Sequence, residues 1–108
     1  MLSAPIPIQA YFQANADLDV SGMLAPFSPD AIVRDERRIH RGSDEIRAWI
    51  EQATIDNQAI AVPQTTQSDG DAHQVRAQVS GTFAGSPITL SFRFRLDGDR
   101  IAELEIGA

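Results

Sequence analysis

The feature that most constrains this chain is a change of period near Ala59. Before it, apolar residues recur every three to four positions; after it they alternate. Helical spacing buries one stripe of a helix, whereas alternation sends successive side chains to opposite faces of a strand. The order is therefore helices first and a run of strands last, which is the pattern of an α+β domain.

Within the first half, Pro7 suits the opening turn of a helix ending near Ala16, with Ile8, Tyr11, Phe12 and Asn15 on its inner face. Asp19 is placed to cap a short second helix carrying Val20, Met23 and Leu24, which Pro26 should stop. Phe27 to Asp30 reads as a turn and Ala31 to Asp35 as a strand, with Ala31, Val33 and Asp35 on one face. A carboxylate thereby shares a face with small apolar side chains. Glu36 to Gly42 reads as a polar loop, after which Ser43 caps a third helix whose buried stripe is Ile46, Trp49, Ile50 and Ala53.

Four strands follow, near Ala59 to Gln67, His73 to Phe83, Ile88 to Leu96 and Arg100 to Ile106. The glycine-bearing segments at 68–71, 84–85 and 97–99 join them as hairpins. Val75, Ala77, Val79 and Phe83 oppose Gln74, Arg76, Gln78 and Ser80; Leu90, Phe92 and Phe94 oppose Ser91, Arg93 and Arg95. One apolar face per strand predicts a curved antiparallel sheet wrapped around the three helices. At 108 residues the chain makes a single domain spanning 1–108.

Composition removes whole classes of chemistry. There is no cysteine, and all nine basic residues are arginines, so thiolate nucleophiles, thiolate metal sites and Schiff-base lysines are excluded. A net charge of -6 without a basic stripe argues against nucleic acid. No run spans a bilayer, and the opening MLSAPIPIQAYF lacks the basic and apolar regions of a secretion signal, so the expectation is a cytoplasmic protein without membrane contact. Two histidines at unhelpful spacing, with acidic pairs confined to hairpin turns, lead us to expect no metal and no cofactor.

The stretch YFQANADLDVSGMLAPFSPDAIVRDE, with a helical tyrosine, an acidic turn, an F-x-x-D-A strand start and a closing aspartate, resembles the opening of ketosteroid isomerases and SnoaL-like polyketide cyclases. HRGSDEIRAWIEQA is similar to the G-x-x-x-I-x-x-[WF] third helix of the same group. The element order resembles the cone-shaped, cystatin-like barrel of the nuclear transport factor 2-like superfamily. The likeness covers about Ile8 to Ile106.

That resemblance implies a pocket for a small hydrophobic carbonyl compound and a cofactor-independent isomerase or cyclase. In it Asp35 would move a proton and Tyr11 would donate to an enolate oxygen. Phe12, Asn15, Val33, His40, Trp49, Leu90 and Phe92 are the candidate substrate-binding residues. One departure stands out: the protonated aspartate that gives ketosteroid isomerases a second oxyanion donor falls here at Leu90 or Phe92. A non-catalytic ligand-binding or dimerisation module of the same fold is the alternative, and the polar outer sheet face implies a homodimer through the sheet.

Single residues carry two readings each. Asp35 is either a pocket base or a surface carboxylate paired with Arg34, Arg37 or Arg38, and Tyr11 either a pocket donor or a core tyrosine. His40 is a mouth-lining acid or a solvated loop residue. His73 reads as a satisfied strand-end histidine, and Trp49 as core or pocket wall.

Overall fold

A computed structural model describes residues 4–108. The first three, which enter the reading of the N-terminus, lie outside the described residues. Helices α1 (Ile6–Ala16) and α2 (Val20–Leu24) precede strands β1 (Phe27–Asp35) and β2 (Arg38–Arg41). Helix α3 (Gly42–Ile50) runs into a π-helical segment, Glu51–Ile55, and strands β3 (Ile60–Asp69), β4 (Ala72–Ser80), β5 (Ile88–Asp97) and β6 (Arg100–Gly107) complete the chain. The result is an α+β fold in which α1 and α3 pack on a six-stranded sheet ordered β2-β1-β6-β5-β4-β3 and α2 packs against both helices. No helix among the described residues is long and apolar enough to cross a membrane.

The alternation anticipated for β4 and β5 is realised. Val75, Ala77, Phe92 and Phe94 are buried, while Arg76, Arg93 and Arg95 point outward. Outward charges form cross-strand pairs, Arg34 with Glu103 at 3.8 Å, Arg95 with Glu103 at 3.5 Å and Arg93 with Glu105 at 3.7 Å. Exposed pairs of this kind add little stability each. On the inner face Phe12, Phe92, Phe94 and Phe27 surround the Tyr11 ring with centroids 5.2 to 6.4 Å away.

Several expectations need correction. The sheet is mixed, because β1 runs parallel to β6 while every other pair is antiparallel. Phe27 to Asp30 begins β1 and is not a free turn: Phe27 is buried opposite Ile101, and the Ile101 N–H donates to the Pro26 carbonyl at 2.8 Å. The turn-forming residues Ser28, Pro29 and Asp30 sit within a break in register between Phe27 and Ile32, so tertiary pairing overrides local preference. The supposed loop Glu36 to Gly42 contains β2, a short charged edge strand. Ser43 does not cap α3; instead the Glu45 carboxylate reaches back to the Arg41 N–H at 2.8 Å. Beyond Ile50 the wider π turn advances the buried position by one residue, from Ala53 to Thr54.

Candidate active site

The strand-end position of Asp35 and the inner face of α1 bring a carboxylate and a phenol to one cavity of about 850 Å³. Its buried wall includes Tyr11, Trp49, Ala61 and Phe92, with Leu90 and Phe83 partly buried, and its rim carries the exposed Glu36, Arg37 and Arg38. Asp35 is half-buried at the boundary between the two.

The Asp35 carboxylate is aimed by α3. Trp49 lies on the buried stripe of that helix, and its indole Nε1–H donates to Asp35 Oδ2 at 3.0 Å. The other oxygen, Oδ1, has no hydrogen-bond partner among the described residues. Arg34, one of the expected surface partners of Asp35, pairs with Glu103 instead, and neither Arg37 nor Arg38 is ion-paired among the described residues. His40 lies 6.1 Å from Trp49, ring centroid to ring centroid, and lines the same cavity.

Tyr11 is 3 % exposed, and among the described residues no group hydrogen-bonds its hydroxyl. Burial raises its pKa far above the ordinary phenol value, and the nearby Asp35 charge raises it further. The phenol is therefore a neutral donor at any physiological pH. Because the folded state holds this proton more tightly than the unfolded state does, the associated stability is complete below the unfolded pKa of about 10 and is lost as pH rises through the folded value. We expect stability to urea to fall with pH above about 10, and Tyr11→Phe to reduce that slope. Tyr11 is the only tyrosine in the chain, so phenolate absorbance reports this group alone. Ionisation at the ordinary phenol pH in the folded protein would refute its burial.

The remaining predicted site residues divide. Asn15, His40, Trp49, Leu90 and Phe92 line the cavity with Tyr11 and Asp35. Phe12 and Val33 do not: Phe12 stacks edge-on behind Tyr11 against Phe92 and Phe94, and Val33 is fully buried under β1. Asn15 is present but its amide is committed to backbone, accepting from the Ala61 N–H at 2.7 Å and donating to the Ala59 carbonyl at 3.0 Å. Its role is to bolt α1 to the start of β3. Leu90 and Phe92 both face the cavity, so neither possible alignment puts a second acidic donor there. Sequence reasoning missed Gln52, the buried Thr54 and Asn57 in the lining, which lie in or just beyond the π segment. His73 bonds Ser68 across its own hairpin at 2.7 Å, away from this cavity.

The fold that brings a half-buried, indole-anchored carboxylate and a buried phenol to one cavity is the NTF2-like α+β fold. More particularly, the chain belongs to the SnoaL-like domain family, whose profile matches residues 8–104. It is similar to a candidate polyketide cyclase of Sinorhizobium meliloti, at 39 % identity over 96 % of this chain and 95 % of that one, with a TM-score of 0.92. It also shares its fold with a hypothetical protein of ketosteroid isomerase-like fold from Catenulispora acidiphila, solved in complex with trimethylamine (17 % identity, 98 % and 87 % coverage, TM-score 0.83). A third likeness is to SalBIII, an epoxide hydrolase/cyclase-like enzyme of pyran ring formation in salinomycin (17 % identity, 93 % and 85 % coverage, TM-score 0.81). A search of functionally curated proteins gave no match.

Proposed function

We propose that this protein is a cofactor-independent isomerase or cyclase that moves a proton on a hydrophobic carbonyl compound. The observation that carries this reading is the Trp49-held Asp35 carboxylate, whose second oxygen is unengaged, sharing a cavity with the neutral Tyr11 phenol. Asp35 Oδ1 takes the α-proton, and the electron pair moves onto the carbonyl oxygen. Tyr11 donates to the enolate so formed, a charge that water would otherwise have to solvate. Return of the proton at another carbon gives isomerisation; attack of the enolate carbon on a second carbonyl, which takes up the proton, gives ring closure. The likeness to a candidate polyketide cyclase supports the second outcome.

The test is α-proton exchange of 2-tetralone in D2O, followed by NMR. Exchange should exceed the buffer rate, and Tyr11→Phe should reduce it by roughly 100-fold to 1,000-fold, the usual cost of one oxyanion donor. The hydroxyl has no protein partner among the described residues, so this variant should fold normally. Unchanged exchange in Tyr11→Phe would remove Tyr11 from the mechanism, and exchange no faster than buffer in the parent protein would remove the reading itself.

A further inference from the structure

Four arginines cluster in sequence at 34, 37, 38 and 41, and the strand register sorts them. Residues opposite one another on paired strands share a face. In the β1–β2 hairpin Asp35 opposes Arg38 and Val33 opposes His40, so Arg38 and His40 share the cavity-facing side with Asp35. Arg34 opposes Ile39 and Arg41 opposes Ile32, which puts both on the outer side, where Arg34 meets Glu103.

The connecting turn reinforces this placement. Glu36 and Arg37 have φ of +52° and +66°, left-handed conformations that non-glycine residues adopt at some cost. They close a two-residue hairpin and set Arg37 beside Arg38 on the rim. Both guanidinium groups are exposed, both line the cavity, and among the described residues neither has a carboxylate at ion-pair distance. Glu36 on the rim and Asp35 further in carry opposing charge.

We propose that the ligand of this cavity is a hydrophobic carbonyl compound bearing a carboxylate, held at the mouth by Arg38 together with Arg37. A planar guanidinium matches a carboxylate through two parallel hydrogen bonds. The net charge of -6, with Glu36 and Asp35 close by, favours a monoanion over a dianionic phosphate. Since Arg38 is the cross-strand neighbour of Asp35, the acid group lies a few bonds from the carbon that loses its proton. The apolar remainder extends toward Leu90, Phe92 and Ala61. The carbonyl half of this assignment rests on the proton-transfer reading above, whereas the anion site stands independently of it.

The probes are 4-cyclohexyl-4-oxobutanoate, its methyl ester and the phosphonate of the same skeleton. Binding is measured by calorimetry and by the indole N–H signal of Trp49, the only tryptophan in the chain. The acid should bind about 10-fold to 100-fold more tightly than the ester, as a charge-assisted pair does over a neutral one. Arg37→Gln/Arg38→Gln should abolish that preference while leaving ester affinity unchanged, which also shows that the variant is folded. Equal binding of acid and ester, a preference that survives the double variant, tighter binding of the phosphonate, or no binding of any probe would each overturn the proposal. The 2-tetralone exchange test involves no anion, so failure there leaves the carboxylate site intact, and failure here leaves the exchange result intact.

Discussion

Replacing Asp35 with asparagine is expected to lower protein-promoted exchange of 2-tetralone by about 1,000-fold, within the usual range for removal of a general base. The substitution isolates chemistry from structure. An asparagine carbonyl oxygen can still accept from the Trp49 indole, which now holds Oδ2 at 3.0 Å, so the near-ultraviolet signal of Trp49 should be preserved. What disappears is the basic oxygen facing the cavity. A variant that kept its exchange rate would show that another group takes the proton, with His40 first in line because it shares the cavity-facing side of the hairpin.

The second large effect is on stability. Asn15→Ala should cost about 3 kcal/mol, because it strands the Ala61 N–H and the Ala59 carbonyl, and each unpaired buried backbone group costs roughly 1–3 kcal/mol. In urea the midpoint should fall by roughly 2 M for a domain of this size. A loss below about 1 kcal/mol would mean that the β3 backbone finds new partners and that the side chain is not the bolt between α1 and the sheet.

Those two residues illustrate what the sequence makes legible. Period and parity place both correctly: Asn15 on the inner face of α1, and Asp35 on the apolar face of β1. Parity says which way a side chain points, but not which atom of another element meets it. The Trp49 indole on Asp35 and the Ala59–Ala61 backbone on Asn15 are contacts between elements 14 and 44 to 46 residues apart, and no local pattern encodes them. The same limit explains Phe12 and Val33. Each faces inward as its period requires, yet one lies behind Tyr11 and the other beneath the strand, because inward includes the core as well as the cavity.

Strand β2 escaped notice for a different reason. A two-residue hairpin usually declares itself through Asn-Gly or Asp-Gly, whereas here Glu36 and Arg37 take the left-handed conformations. With Arg38 and Arg41 at its ends, the segment has the composition of a solvated loop. The parallel β1–β6 pairing was hidden too, since four successive strands joined by three hairpins suggest only antiparallel neighbours.

That pairing governs how the domain assembles. Strand β6 is last in the sequence but lies between β1 and β5, so the sheet cannot be built by adding strands in chain order. Hairpins β1–β2, β3–β4 and β4–β5 close locally, but the β1–β2 hairpin joins the rest of the sheet only through β6, more than sixty residues away. Closing so long a loop before any contact rewards it slows folding and raises contact order. Asp35 and its indole partner therefore meet the apolar wall carried by β5 only once β6 bridges β1 to it. A chain caught short of that step would hold two separate pieces of a site and no chamber between them.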